Sequence, residues 1–477
     1  MIKLTNLFTV SGMSRKLNIQ GEIPKTKSMY LNFLKIAWPA MVESILMSLV
    51  NIFDTIMVSG EGIDAVAAVG LTTQPRMIFY AVFFALSIAV TTIVSRRKGQ
   101  GDQDGANASL NQSLGLVAVL AIVLCGTAIF VAEPLLTFAG ANEDTLDYAL
   151  TYFRITMVGL MFTSFGMMIN AAQRASGNTR ISMTTNVVAN VTNICFNYIL
   201  INGVFLNGME LVPHLGVKGA AIATLIGNIA SFCMSMASIL HKKRYLRFSF
   251  KGMVKWKAHL LKTLGKVAAG AGAEQLFMRI GFFIYAKLVA DLGTAEYGTH
   301  IIAMNIITVS FACGDGLSVA TSALIGQNLG KNRPDLASLY AKVGQRIGVL
   351  ISVLLMVFLF FAGGWMVKLF ADPADEHYQY VIENGKILIY YIIICAPGQI
   401  SQVIYNGALR GAGDTRYVAL TSAISIGAFR PLTAYIFCYP LGFGLFGAWI
   451  SLLIDQYMRL AFSMYRFISG KWQKIVV

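Results

Sequence analysis

The chain has 477 residues, 56% of them hydrophobic and 13% charged, with a formal net charge of +15. Soluble domains run at about 25% charged residues, so this composition excludes an ordinary water-soluble fold. Nor does the positive charge indicate nucleic acid, because the basic residues lie between apolar stretches rather than on one surface interleaved with aromatics.

In chain order, residues 1–32 carry Lys3, Arg15, Lys16, Lys25 and Lys27 without an apolar core and a small-residue cleavage site. They read as a cytoplasmic tail that could carry an amphipathic piece, not as a cleavable signal peptide. A bilayer helix needs about 20 mostly apolar residues. Twelve such stretches follow, at 33–58, 66–94, 109–132, 146–170, 182–202, 217–240, 263–290, 298–326, 341–365, 377–408, 417–438 and 445–467, leaving 468–477 as a second tail. The expected fold class is all-α integral membrane. All six cysteines lie inside these stretches, with no CxxC pair and no His at ligand spacing, so they read as small core residues and not as metal ligands or disulfides.

Alternate connections differ in charge. One set holds Arg96, Arg97 and Lys98, then Arg174 and Arg180, the run from Lys242 to Lys262, Lys331 and Arg333, and Arg410 and Arg416. The other holds Glu61, Asp64, Glu133, Glu143, Asp144, Glu210, Asp291, Glu296, Asp372, Asp375 and Glu376, with Lys368 the main basic exception. By the positive-inside rule both termini are cytoplasmic, in a multi-pass protein of the inner membrane.

The chain also repeats itself. PAMVESILM from Pro39 lies against GAGAEQLFM from Gly270, bringing Glu43 onto Glu274; RASGNTR from Arg174 matches RGAGDTR from Arg410; GVKGAA from Gly216 matches GLFGAW from Gly444. The offsets are near constant, so two six-helix lobes, 33–240 and 263–467, are expected as parallel repeats around a central cavity. The linker 241–262 is basic, carries Tyr245, Phe248, Phe250 and Trp256, and reads as a tether lying on the surface.

A charge at bilayer depth costs about 2.5 to 3.5 kcal/mol, which makes every ionisable group inside a span a candidate for function. Asp54 and Glu43 stand in the first stretch, with Arg76 the nearest counter-charge to Glu43; Glu274, Arg279, Asp315, Arg430, Asp455 and Arg459 stand in the second half. Their mixed signs fit either a polar network in the cavity or ion pairs that hold the half together. On the fifth stretch Asn186, Asn190, Asn193 and Asn197 recur at spacings that put four amides on one helical face, as site lining or as interhelical glue.

From about residue 30 to 467 this pattern resembles the multidrug and toxic compound extrusion (MATE) family. The resemblance rests on NIFDTIMVS in the first helix, Gly326, Gln327 and Gly330 ending the eighth, the paired Arg-x-x-Gly-Asn/Asp-Thr-Arg loops, and the Asn193/Asn197 spacing in the fifth. It implies a monomeric transporter without cofactor that exports amphipathic or cationic compounds in exchange for H⁺ or Na⁺, by alternating access between the lobes. It implies that Asp54 is the centre of the ion site, joined by Asn193, Asn197 and the Thr224 hydroxyl, with Na⁺ at Asp54, Asn193 and Asn197 if the ion is a metal. Relatives have a carboxylate where this chain has Asn197, so one charge is missing. Glu274 matches a coupling glutamate of some bacterial relatives.

Membrane lipids and small substrates are then the expected partners, and nucleic acid is not. An ATP-driven pump is disfavoured because no Gly-x-x-x-x-Gly-Lys-Ser/Thr loop occurs, and an enzyme because neither HExxH nor GxSxG occurs. The alternative is a flippase for lipid-linked oligosaccharide or another lipid. Orientation is testable: a cysteine placed at Asn142 should react with an impermeant maleimide from outside intact cells and one at Asn332 should not, whereas the reverse labelling would invert the topology.

Overall fold

The computed structural model describes residues 8–14, 17–59, 63–206, 209–241, 244–371, 373 and 376–475, leaving aside the side chains of 49–56, 58–59, 63–67, 143, 202, 204–206 and 209–212. A short α1 (Val10–Ser14) is followed by α2 (Thr26–Ser59), α3 (Ile63–Gln100), α4 (Gln103–Phe130), α5 (Ala132–Phe138), α6 (Glu143–Ala175) and α7 (Thr179–Asn202). A two-stranded antiparallel hairpin, β1 (Val204–Leu206) and β2 (Met209–Val212), leads into α8 (Gly216–Leu240) and the short α9 (Phe250–Val254). Then come α10 (Ala258–Ala290), α11 (Thr294–Gly330), α12 (Pro334–Phe370), α13 (Tyr378–Ala412), α14 (Thr415–Ser422), a π-helical turn (Ala423–Phe429), α15 (Arg430–Cys438) and α16 (Gly444–Ile468). Long apolar runs fold this way because a helix satisfies its backbone polar groups internally.

Among the described residues, eight helices are long and apolar enough to cross a membrane. The four other stretches expected to span are helical as well. They are the polar or interrupted ones: α7 with its asparagine face, α14–α15 with the π-helical turn, α16 with Asp455, Arg459 and Arg466, and α2, part of whose side chains fall outside the description.

Residues 45–268 form one compact unit, and residues 269–477 with 1–44 form another. In the first, α3 packs on α4 and α6, α6 packs on α4 and α8, and α7 packs on α8. In the second, α11 packs on α12 and α13, α13 packs on α12 and α16, and α15 packs on α16. Aligned through the sequence repeat, these are the same pairings.

Matched glycines explain why. Gly177 and Gly413 end α6 and α13 with φ of 90° and 89°, which a glycine adopts without strain. Gly219 and Gly447 let matched helices meet: a Cβ at Gly219 would strike the Leu200 carbonyl, and one at Gly447 would lie 2.7 Å from the Phe437 carbonyl oxygen.

The unit boundary differs from the lobe expected to start at residue 33. The inner part of α2 buries Met29, Phe33, Ile36 and Ala37 against Leu317, Leu339 and Val343 of α11 and α12, so it packs with the second half. The tail before it is docked too. Val10 and Met13 of α1 join that cluster, Lys342 Nζ donates to the Met13 carbonyl at 2.7 Å, and Gln20 N donates to Asp335 Oδ2 at 3.2 Å.

The linker is more than a tether on a surface. Gln103 donates to Tyr245 O at 2.8 Å, Asn111 accepts from Ser249 N at 2.8 Å, and Gln112 accepts from Lys257 N at 2.8 Å and donates to Gly252 O at 2.6 Å. Amides on the polar end of α4 thereby take the place of strand or helix partners for the linker backbone. Four cysteines are buried, whereas Cys195 and Cys233, on α7 and α8, are exposed rather than core residues. Gly447→Ala should lower the detergent melting temperature by the equivalent of about 1–3 kcal/mol of overpacking. Gly126→Ala, whose Cβ would meet nothing within 4 Å, should not lower it.

Candidate functional site

The clearest pairing of buried charge lies in the second unit. Glu274 stands in the middle of α10 and is 1% exposed as a side chain, while Arg410 occupies the last turn of α13. Arg410 Nε donates to Glu274 Oε2 at 3.2 Å and Nη2 donates to Oε1, a bidentate arrangement that suits a desolvated carboxylate. Asp315 of α11 lies within electrostatic reach of the same guanidinium, midway along a long helix. One cation thus stands near two carboxylates. Glu43 is buried in the same unit, 7% exposed on the inner part of α2.

In the unit of residues 45–268 the described polar contacts between α7 and α8 are made by neutral groups. Asn193 Nδ2 donates to Thr224 Oγ1 at 3.2 Å, Thr224 Oγ1 donates to the Ala220 carbonyl at 3.0 Å, and Asn197 Nδ2 donates to Asn193 Oδ1 at 3.4 Å. Both amides are buried, and Gly227 makes room for them, since a Cβ there would stand 3.1 Å from Asn193 Cβ. Asn190, one turn before Asn193 on that face, has a buried Nδ2 without a partner among the described residues. Arg76 of α3 lies 6.0 Å over the Tyr152 ring. Asp54 is on α2, and its side chain lies outside the described residues.

Of the second-half residues, Arg430 and Asp455 pair with each other and Arg459 joins them, whereas Glu274 and Asp315 gather around Arg410. Sequence reasoning missed Arg410 as a site residue because it took the Arg410–Arg416 segment for a basic loop. The helix runs on to Ala412, so Arg410 is still helical. The available signal was the repeat itself: the matched Arg174 donates to Ser182 at 2.7 Å, across the same turn, while Arg410 reaches a carboxylate on another helix.

The MatE family matches residues 39–199 and 271–436 of this chain. The chain is 28% identical over 448 residues to the uncharacterized transporter YisQ of Bacillus subtilis (strain 168), covering 92% of this chain and 94% of that protein. It is 26% identical over 460 residues to the probable multidrug resistance protein NorM of Thermotoga maritima, covering 96% and 95%. Among solved structures, that of MATE in complex with MaL6 superposes with a TM-score of 0.84 at 21% identity, over 93% of this chain and 97% of the other.

Removing Arg410 would strand a sealed carboxylate, at a cost of about 3–5 kcal/mol for a broken buried pair. Arg410→Met should therefore melt well below the wild type in detergent, and adding Glu274→Gln should restore most of the loss. Additive effects in this double-mutant cycle would show that the two side chains are not coupled.

Proposed function

The chain belongs to the multidrug and toxic compound extrusion family of membrane transporters, and on that footing we propose that it expels small amphipathic or cationic compounds in exchange for inward H⁺ or Na⁺. It is a multi-pass membrane protein, and the relatives are transporters, several named as probable multidrug resistance proteins, rather than enzymes. In this reading twelve helices cross the inner membrane as two parallel six-helix repeats, lobes 33–240 and 263–467, with both termini cytoplasmic. A monomer alternates between outward and inward access without a cofactor. The observation that carries the reading is the double match: the family fits once in each half, and relatives aligned over nearly the whole chain include probable multidrug resistance proteins. Nothing comparable favours the lipid flippase.

The coupling site we infer centres on Asp54, with Asn193, Asn197 and Thr224 beside it in the same unit. The hydrogen-bonded amide and hydroxyl oxygens between α7 and α8 support this, because neutral oxygens around one carboxylate suit Na⁺ or a carboxyl that takes up a proton. Glu274, held by Arg410, is the second candidate, and Glu43, Arg76, Asn190, Asp315, Arg430 and Asp455 are the further polar residues that the reading assigns to a wider network. Exchange of one monovalent ion for one monovalent cation moves no net charge. A second ion at Glu274 would add about 2.3 kcal/mol per 100 mV.

Reconstituted protein with a preset pH or Na⁺ gradient and a fluorescent cationic dye tests the proposal. One of the two gradients should drive dye efflux, and Asp54→Asn should abolish it while leaving expression and melting near wild type. A wild type that moves dye under neither gradient overturns the export reading. Normal efflux by Asp54→Asn overturns the site alone.

A further inference from the structure

The second unit contains another polar cluster, to which the transport reading assigns no ligand. Asp455 and Arg459 lie one turn apart on α16, and Arg430 opens α15 directly after the π-helical turn. Arg430 Nε donates to Asp455 Oδ2 at 3.0 Å and Nη2 donates to the same oxygen, while Arg459 Nη2 stands 3.2 Å from it as an ion pair. The three side chains are 1%, 0% and 7% exposed. Two cations thus share one anion in the interior of the unit, and among the described residues no other carboxylate pairs with either guanidinium.

Arg430 is well supplied with neighbours: besides Asp455, the Phe282 and Tyr285 rings lie 5.2 and 5.6 Å from it. Arg459 is not. Its Nη2 stands against Asp455 Oδ2 as an ion pair outside hydrogen-bonding geometry; among the described residues neither Nη2 nor Nε has an acceptor, and Asp455 Oδ1 is likewise buried without a donor. Such groups are rare in folded proteins because an unpaired buried donor loses its hydration without replacement.

The opposite wall is α13. Cys395 lies within electrostatic reach of Arg430, Arg459 and Asp455, and Gln399 and Gln402 follow it at helical spacing on the same face. Two contacts fix the level of the helices: the Tyr457 ring against Gly398, and Ser463 Oγ donating to Asn406 Oδ1 at 2.7 Å. That register sets Gln399 level with Gln456 and Gln402 level with Arg459. All three amides are at most 2% exposed, and among the described residues each has at least one end without a partner: both ends of Gln399 and Oε1 of Gln402 and Gln456. A glutamine amide turns either end towards a ligand, since oxygen and nitrogen exchange by a simple flip.

We infer that Arg459 and Arg430, with Gln399, Gln402 and Gln456, enclose a binding site for one small monovalent anion of the halide class. Water would satisfy single donors, but it would leave the surplus positive charge uncompensated, and an anion answers both needs. The single surplus charge and the sealed lining argue for a monatomic ion over phosphate or a carboxylate. This site goes beyond the coupling chemistry and lies on helices that Asp54 does not share.

Melting of the purified full-length protein in detergent tests it, in sodium chloride or bromide against sodium gluconate at equal concentration, so that any Na⁺ effect cancels. Halide should raise the wild-type melting temperature by several degrees with a saturable dependence. The shift should vanish in Arg459→Gln, which should melt in gluconate no lower than the wild type because it no longer carries the surplus charge. A wild type indifferent to halide, or a full shift retained in Arg459→Gln, overturns the inference. Should that variant not fold, bromide-soaked wild-type crystals decide: an anomalous peak against the Arg459 guanidinium supports the site, and its absence overturns it.

Discussion

An ionic group enclosed by apolar helices is stable only where another group answers its charge, and the interior of this chain is organised around that requirement. Glu274, at 1% side-chain exposure, is answered by both arms of Arg410, which must come from a different helix to do so. The pairing ties the middle of α10 to the end of α13 and brings the guanidinium near Asp315. If the pair were simply structural, hydrophobic residues of similar volume would serve as well or better. The pair stands beside a second carboxylate, Asp315, so one guanidinium answers more than one charge. In the other unit, the described polar contacts between α7 and α8 are made by amides and a hydroxyl.

The duplication kept backbone geometry more faithfully than side-chain chemistry. Gly177 and Gly413 hold the same left-handed conformation, and Gly216 and Gly444 share a φ of 51°. Gly219 and Gly447 each remove a Cβ that would collide with a backbone carbonyl region of the preceding helix. Packing leaves no freedom at such positions, because a single added methyl would push two helices apart. Side chains that project from this frame were free to diverge. Arg174 bonds a serine on the helix that follows it, whereas Arg410 bonds a glutamate 136 residues away. One ancestral frame thus supports different partners for matched arginines.

The segments outside the long helices are also fixed by specific bonds. The linker owes its course to Gln103, Asn107, Asn111 and Gln112, whose amides add backbone partners to the few its own short turns and α9 provide. Its Phe250 and Trp256 remain 68% and 50% exposed, as suits residues at a membrane interface. The amino-terminal tail is anchored on α12 by Lys342 and Asp335 and by two buried apolar side chains. Because α2 passes from the unit of residues 1–44 into the unit beginning at residue 45, this anchoring holds the inner part of that helix to the second half.

Composition and periodicity by themselves determined the helical class, the places of the long helices within a few residues, and the duplication, since each depends on local runs of residues or on their recurrence at fixed offset. The asparagine face of α7 was legible for the same reason: helical spacing alone puts Asn186, Asn190, Asn193 and Asn197 on one side. Which partner each charge takes was not legible. Glu274 and Arg410 are 136 residues apart and Arg430 and Asp455 are 25 apart, and nothing in the intervening sequence encodes either contact. The docking of the tail and of α2 against α11 and α12 was hidden as well, because an apolar face facing lipid and one facing another helix have the same composition. Only the packing of helices in three dimensions separates them, and it also decides which buried amides find partners and which, like Gln399, have none among the described residues.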